Sequence, residues 1–243
     1  MQIALMGYGK MGKTIETLLV ERGHSVHSIF DSKRLPNVAA LAGADVAIEF
    51  TRPELALNHI RICAEANCPV VIGTTGWNHL REEAFAIVKE FNAALFFASN
   101  FSPGVNIAFY LTEVLTALLK KFPEYRPSIE EIHHTQKLDA PSGTAITFAE
   151  KIMEQNPSYA RWNMADDSGL QEIQMKAIRE GNVPGTHHIR FTSSNDQIEI
   201  SHYAFNRLGF AAGAISAAEF LCGKSGIYTM SDLLSHNISE LKH

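Results

Sequence analysis

The chain of 243 residues predicts an α/β protein: a parallel-sheet domain first, then a second domain of α+β type. Three observations carry that expectation. Short apolar runs over 3–6, 26–30, 46–50, 70–72 and 95–98 alternate with helical patterns over 11–19, 53–66 and 79–91. A glycine-rich turn, Gly7-Tyr8-Gly9-Lys10-Met11-Gly12, sits between the first strand and the first helix. After Asn100-Phe101-Ser102-Pro103-Gly104 the rhythm changes to longer strands over 129–134, 172–179, 186–191 and 197–203.

Each element has local signals of its own. Gly23 stops the first helix, Pro53 opens the second and Asn67 follows its end. A long helix is predicted over 105–121, and another over 143–154 with Ser142 as its cap. A hairpin is expected around Ser194-Asn195-Asp196, an apolar helix over 210–222, and a short final turn from Ser231 to Leu234.

Composition narrows the classes of function. Hydrophobic residues at 46% suit an ordinary globule, and 21 basic against 26 acidic residues leave a net charge of −5, with no overall basic surface for nucleic acid. Cys63, Cys68 and Cys222 are an odd, sparse set without CxxC spacing, which argues against a disulfide framework and for a reducing compartment. Residues 1–6 lack the charged start and cleavage pattern of a secretory leader, so a cytoplasmic location is expected. The apolar stretch 208–222 contains Glu219 and is too short to cross a bilayer, so no membrane role is expected.

GxGxxG in this context is a dinucleotide turn. Its first glycine permits the turn, its second admits a pyrophosphate and its third lets helix and strand pack closely. Asp31 follows the second strand, about 20 residues on, where an acid accepts ribose hydroxyls; the alternative is a plain turn aspartate. Ser32, Lys33 and Arg34 beside it could accommodate a 2′-phosphate, so either NADH or NADPH fits. Gly73, Thr74 and Thr75 after the fourth strand, and Ala98, Ser99, Asn100 and Phe101 after the fifth, occupy carboxyl-end loops placed to hold the nicotinamide end, with Thr51 a weaker candidate.

The densest chemistry lies in Glu131-Ile132-His133-His134-Thr135-Gln136-Lys137-Leu138-Asp139-Ala140-Pro141-Ser142-Gly143-Thr144-Ala145. On a strand, His133 and His134 face opposite sides, and the helix start at Ser142, Gly143 and Thr144 could present N–H groups to a carboxylate. Metal ligation by His133, His134, Asp139 and His187 or His188 has no recognised spacing, so no metal is expected. A hydrolase lacks its GxSxG elbow. Read blandly, the histidines finish a surface strand and Lys137 is a solvated charge.

These motifs, with Gly73 to Gly76, Gly185-Thr186-His187-His188 and Phe210-Ala211-Ala212-Gly213-Ala214, resemble the bacterial 4-hydroxy-tetrahydrodipicolinate (dihydrodipicolinate) reductases over nearly the whole chain. The resemblance implies a Rossmann-like dinucleotide domain over 1–101, a substrate-binding and oligomerisation domain over 102–206, and a tail over 207–243 that returns to the first. It implies His133 and Lys137 as catalytic groups and His134, Gly143 and Thr144 as ligands of a cyclic dicarboxylate. Gly7, Tyr8, Gly9, Lys10, Met11, Gly12, Asp31, Gly73, Thr74, Thr75 and 98–101 would contact the cofactor. A cytoplasmic homotetramer of the diaminopimelate and lysine route is the corresponding expectation. Alternatives are another nicotinamide-dependent amino-acid or imine oxidoreductase, and a nucleotide-sensing regulator, which would need no His133 or Lys137 chemistry.

Overall fold

The computed structural model describes residues 1–165 and 169–240. The chain divides into two units, 1–103 with 208–243, and 104–207. Unit 1 is built on a parallel sheet of six strands: β1 (Gln2–Met6), β2 (Ser25–Phe30), β3 (Val46–Glu49), β4 (Val70–Ile72), β5 (Ala94–Phe97) and, from the tail, β11 (Gly226–Tyr228). Their order is β11-β5-β4-β3-β1-β2, so the direction of winding reverses at β1. The helices are α1 (Lys10–Glu21), α2 (Val38–Leu41), α3 (Pro53–Glu65), α4 (Arg81–Glu90), α7 (Leu208–Leu221) and α8 (Met230–Glu240).

Strand alternation decides which face meets which helices. Ile3 and Leu5 enter one core with Ile15 and Leu19 of α1 and Ala214, Ile215 and Ala218 of α7. Ala4 and Met6 point the other way, into a second core with Ile60 and Cys63 of α3 and Ile87 of α4. Both faces of the sheet are therefore covered, as continuous apolar strands require. Cys63 and Cys68 are buried in the second core, and burial pushes the Cys68 thiol up to about 12, so it stays protonated.

In unit 2 a mixed sheet runs β10-β9-β6-β8-β7. Its strands are β6 (Arg126–His133), β7 (Arg161–Asn163), β8 (Glu172–Arg179), β9 (Gly185–Thr192) and β10 (Gln197–Ala204). β6 runs parallel to β8 and antiparallel to β9, and β9 and β10 form the expected hairpin around 194–196. Helix α6 (Gly143–Gln155) lays Ala145, Phe148, Ala149 and Ile152 over Ile129, Ile173, Met175 and Ile189, with Ala108 of α5 (Pro103–Leu119) completing the core.

Some elements differ from the sequence expectation. β6 begins three residues earlier than expected, through Pro127, because pairing with β8 starts only at Ser128 and no ladder donor is needed at the proline. β7 and β11 are three residues each and α2 four, too short to show periodicity. The expected final turn at 231–234 is part of the longer helix α8. Among the described residues, no helix is long and apolar enough to cross a membrane.

Helix α7 approaches the loop after β5 so closely that a Cβ on Gly213 would stand 1.7 Å from the Phe101 carbonyl oxygen. Gly213→Leu is therefore expected to lower unfolding stability by about 1–3 kcal/mol or more. Denaturant melts read beside turnover check this. Normal stability with a selective loss of chemistry would contradict the packing role.

Candidate active site

Where β1 turns into α1, the chain passes under the Phe50 carbonyl. Gly7 has φ +94°, a Cβ there would lie 2.1 Å from Phe50 O, and one on Gly12 would lie 2.2 Å from Gly7 O. Only glycine fits both places. Gly9, the N-cap of α1, has open space where its Cβ would be, and no side chain caps the helix. The first-turn N–H groups are thus left for a ligand, and the macrodipole favours an anion.

This turn borders a cleft of about 740 Å³ lined by Met6 to Gly9 from β1, Phe30 to Ser32 from β2, and Thr51, Arg52, Leu55 and His59 from β3 and α3. It lies at the carboxyl ends of strands around the winding reversal, where doubly wound sheets take their ligands. Asp31 lines it, and its Oδ1 accepts Lys33 N (2.8 Å) and Arg34 N (3.0 Å), which hold its carboxyl below the usual range. Beneath the cleft Glu49 is fully buried. It accepts from Thr51 Oγ1 and lies 3.2 Å from His59 Nδ1, fixing two lining residues.

In unit 2, β6 alternates so that Ile129, Glu131 and His133 share the inner face, which buries a carboxylate and an imidazole. Glu131 Oε1 accepts Ser142 N (3.0 Å) and an Arg179 N–H (2.9 Å). Its Oε2 lies 3.0 Å from His133 Nδ1, an ion-pair distance at which the ring N–H is off the line of a good hydrogen bond. Burial would raise the carboxyl, but the adjacent His133 ring and the donors Ser142 N and Arg179 outweigh it and hold Glu131 at about 2.

The antiparallel register places His187 of β9 directly opposite Glu131, with its Nε2 4.0 Å from Oε2. Burial first, then the neighbouring His133, His202 and Lys137, push His187 down to about 3 against the pull of Glu131, so it is neutral near pH 7. Arg179, opposite His133 on β8, also donates to the carbonyls of Lys137 and Asp139, tying the loop after β6 to the sheet. Lys137 Nζ sits 2.8 Å from both Asp139 oxygens, half-exposed, and this contact lowers the Asp139 carboxyl. A Cβ on Gly185 would stand 3.0 Å from His133 Nε2, so the missing side chain leaves that edge of the ring uncovered.

The structure places the sequence candidates in groups. Gly7, Tyr8, Gly9 and Asp31 line the cleft with Thr51, while Gly12 is buried beneath the turn and Lys10 and Met11 begin α1. Gly73, Thr74 and Thr75 follow β4, and Thr74 Oγ1 accepts Thr51 N at 2.8 Å. Ala98, Ser99, Asn100 and Phe101 follow β5. His133 ends β6, His134 is the first residue beyond it, and Gly143 and Thr144 open α6 behind the Ser142 cap, whose Oγ accepts Ala145 N.

Sequence reading singled out neither Glu131 nor Arg179 as a site residue, and it left His187 level with His188. Register resolves the histidines: His188 faces the other side of β9, 2.8 Å from Glu199 Oε1 and from Ser201 Oγ. Arg52 and His59 in the cleft were also missed; a prediction that Pro53 opens a helix is compatible with both but does not point to them.

A doubly wound unit with an uncapped glycine turn, joined to an α+β unit carrying a Glu-His-Arg cluster and a lysine loop, defines an oxidoreductase of the nicotinamide-dinucleotide class. The sequence matches the family described as "Dihydrodipicolinate reductase, N-terminus" over residues 1–101 and its "C-terminus" over 104–234. It is 46% identical over 235 residues to the 4-hydroxy-tetrahydrodipicolinate reductase of Christiangramia forsetii, covering 97% of this chain and 98% of that one. The reductase of Neisseria gonorrhoeae is 37% identical over 206 residues, covering 82% and 76%. In fold, the chain is similar to the dipicolinate-bound dihydrodipicolinate reductase of Paenisporosarcina sp. TG-14, with a TM-score of 0.77, 22% identity and 94% and 97% covered. The chain belongs to the dihydrodipicolinate reductase family.

Glu131 gives a pH signature. Its carboxyl stands near 2 when folded against 4.5 when free, so it stabilises the fold above pH 4.5 and loses that contribution as pH falls toward 2. The full effect is about 3 kcal/mol. Denaturant unfolding of wild type and Glu131→Gln should show wild type ahead at pH 6 and the gap shrinking toward pH 3. A gap independent of pH would show that the carboxylate charge is not what holds the cluster.

Proposed function

We propose that this chain reduces 4-hydroxy-tetrahydrodipicolinate to tetrahydrodipicolinate with loss of water, using NADH or NADPH, in the diaminopimelate route to lysine. The observation that carries the reading is the His133-Glu131-Arg179 cluster beside the Lys137 loop and the start of α6, in a chain of this family.

The glycine turn fits a dinucleotide. Uncapped N–H groups at Gly9 and the first turn of α1 hold the pyrophosphate, with Tyr8, Lys10 and Met11 around it, and Gly7 and Gly12 allow the approach. Asp31 accepts ribose hydroxyls while its own loop is braced by Lys33 N and Arg34 N. Gly73 to Thr75 and 98–101 hold the nicotinamide end, and the bound cofactor supplies the hydride.

In unit 2 the dicarboxylate meets N–H groups at Gly143 and Thr144, the imidazole of His134 and the Lys137 ammonium. Glu131 opposite Nδ1 favours the tautomer with its proton there, so His133 exchanges the reaction proton through Nε2, the edge that Gly185 leaves uncovered. Loss of water is proton-neutral, since a ring C–H proton is released as one joins the departing hydroxyl, so a single proton is consumed beside the hydride, and Lys137 supplies it.

The chain acts as a cytoplasmic homotetramer on this reading. Support comes from apolar side chains that α5 leaves exposed, Ile107, Tyr110, Leu111 and Leu118, together with Ile198 and Tyr203 of β10. A solution mass of four chains is the expected result.

Asp31→Ala should weaken NADH more than NADPH, since it removes a ribose acceptor and also a repulsion toward a 2′-phosphate. Dissociation constants for both cofactors at fixed salt decide it; equal small changes, or a selective loss of NADPH, would sink the role.

His133→Ala and Lys137→Ala should bind cofactor normally yet lose roughly 10²–10⁴-fold in rate, and His134→Ala should mainly raise KM. Single-turnover rates across pH at saturating substrate separate binding from chemistry. Near wild-type turnover in both His133→Ala and Lys137→Ala would overturn the assignment. Lost cofactor affinity with intact chemistry would assign the cluster to nucleotide recognition.

A further inference from the structure

The inner face of unit 2 holds a group of polar atoms that its hydrogen bonds do not account for. Among the described residues, Glu131 Oε2, His133 Nδ1 and both ring nitrogens of His187 are buried without an aligned hydrogen-bond partner. The residues are 0%, 7% and 4% exposed. Buried polar atoms are normally satisfied; here Glu131 Oε2 and His133 Nδ1 meet only as an ion pair and both nitrogens of His187 stay open, which asks for a ligand.

We infer that Glu131, His133 and His187 form a binding site for a divalent transition ion of the zinc class. One donor atom from each lies within 4.8 Å of the others. Oε2 of Glu131 is 3.0 Å from His133 Nδ1 and 4.0 Å from His187 Nε2. Ligands at about 2.0–2.2 Å from a tetrahedral ion stand roughly 3–3.5 Å apart, so a small swing of the His187 ring completes the set. Three protein ligands leave a fourth position for water.

The surroundings suit the ligand role. The second oxygen of Glu131 is fixed by Ser142 N and Arg179, the outer support that holds a ligating carboxylate in place. An imidazole pair with a carboxylate selects zinc, cobalt or nickel over magnesium or calcium. Arg179, bonded to the same carboxylate, opposes the added positive charge and weakens retention of the ion.

Sequence spacing hides this site. His133 and Glu131 share a strand face, but His187 reaches them only through the β6–β9 register. An effect on turnover rests additionally on the proposed role of His133: an ion on Nδ1 places a double charge on the ring that exchanges the proton, and turnover falls.

The test titrates Zn²⁺ and Co²⁺ into the full, tag-free chain, by calorimetry and by the ligand-field absorption of bound Co²⁺. Wild type should take one ion per chain with a low-coordinate Co²⁺ spectrum. His187→Gln should weaken binding at least about tenfold. His187→Cys, which keeps a zinc ligand, should retain binding and add a thiolate-to-Co²⁺ charge-transfer band, and it serves if the glutamine variant fails to fold. Absence of saturable one-to-one binding overturns the site, as does unchanged affinity in His187→Gln or a Cys variant without the new band. Zn²⁺ inhibition reversed by chelator would support the His133 role as well. Tight binding with unaffected turnover would leave the site standing and remove that role.

Discussion

A carboxylate with no solvent exposure must find its partners inside the protein, and Glu131 finds them on three elements at once: Arg179 from β8, the N–H at the start of α6, and His133 from its own strand. Removing one partner of such an arrangement typically costs 3–5 kcal/mol, because the remaining charge stays buried. The carboxylate therefore fixes where α6 begins relative to the sheet and which way the His133 ring faces. Arg179 extends the constraint to the carbonyls of Lys137 and Asp139, so the loop carrying the lysine is held by the same guanidinium.

Unit 1 uses the same device. Glu49 ends β3, fully buried, and its interactions with Thr51 and His59 shape one wall of the cleft, as Gly7 and Gly12 shape the other. In both units a buried carboxyl group sits near the carboxyl end of an inner strand and fixes the polar side chains around it. Rigid elements beneath hold each candidate site, and the loops of each site rise above them.

Much of this was legible in the sequence because it is local. Alternation of apolar runs exposed the parallel sheet, and the turn from Gly7 to Gly12 reads as a dinucleotide motif because strand and helix flank it directly. His133 and Lys137 stood out as a dense polar run. What the sequence concealed depends on pairing between distant strands. Nothing near Arg179 in the chain points to Glu131, and His187 differs from His188 only in the parity of its position on β9, which the register with β6 fixes. The start of β6 at Arg126 lay beyond the expected 129–134 run, since Pro127 is tolerated only because the ladder with β8 begins at Ser128.

The two ion pairs of unit 2 divide fixed from exchangeable charge. Lys137 and Asp139 meet where the carboxylate is 58% exposed, and such pairs contribute about 0–1 kcal/mol. The Lys137 ammonium is therefore held only weakly by Asp139, and breaking the pair costs little. Arg179 has no such freedom, because releasing Glu131 would strand a charge that water cannot reach. Of two neighbouring cations, the arginine is thus bound to structure and the lysine is held only by an exposed partner. That division follows from burial alone: exposure at Asp139 makes its partner available, and its absence at Glu131 makes the other permanent.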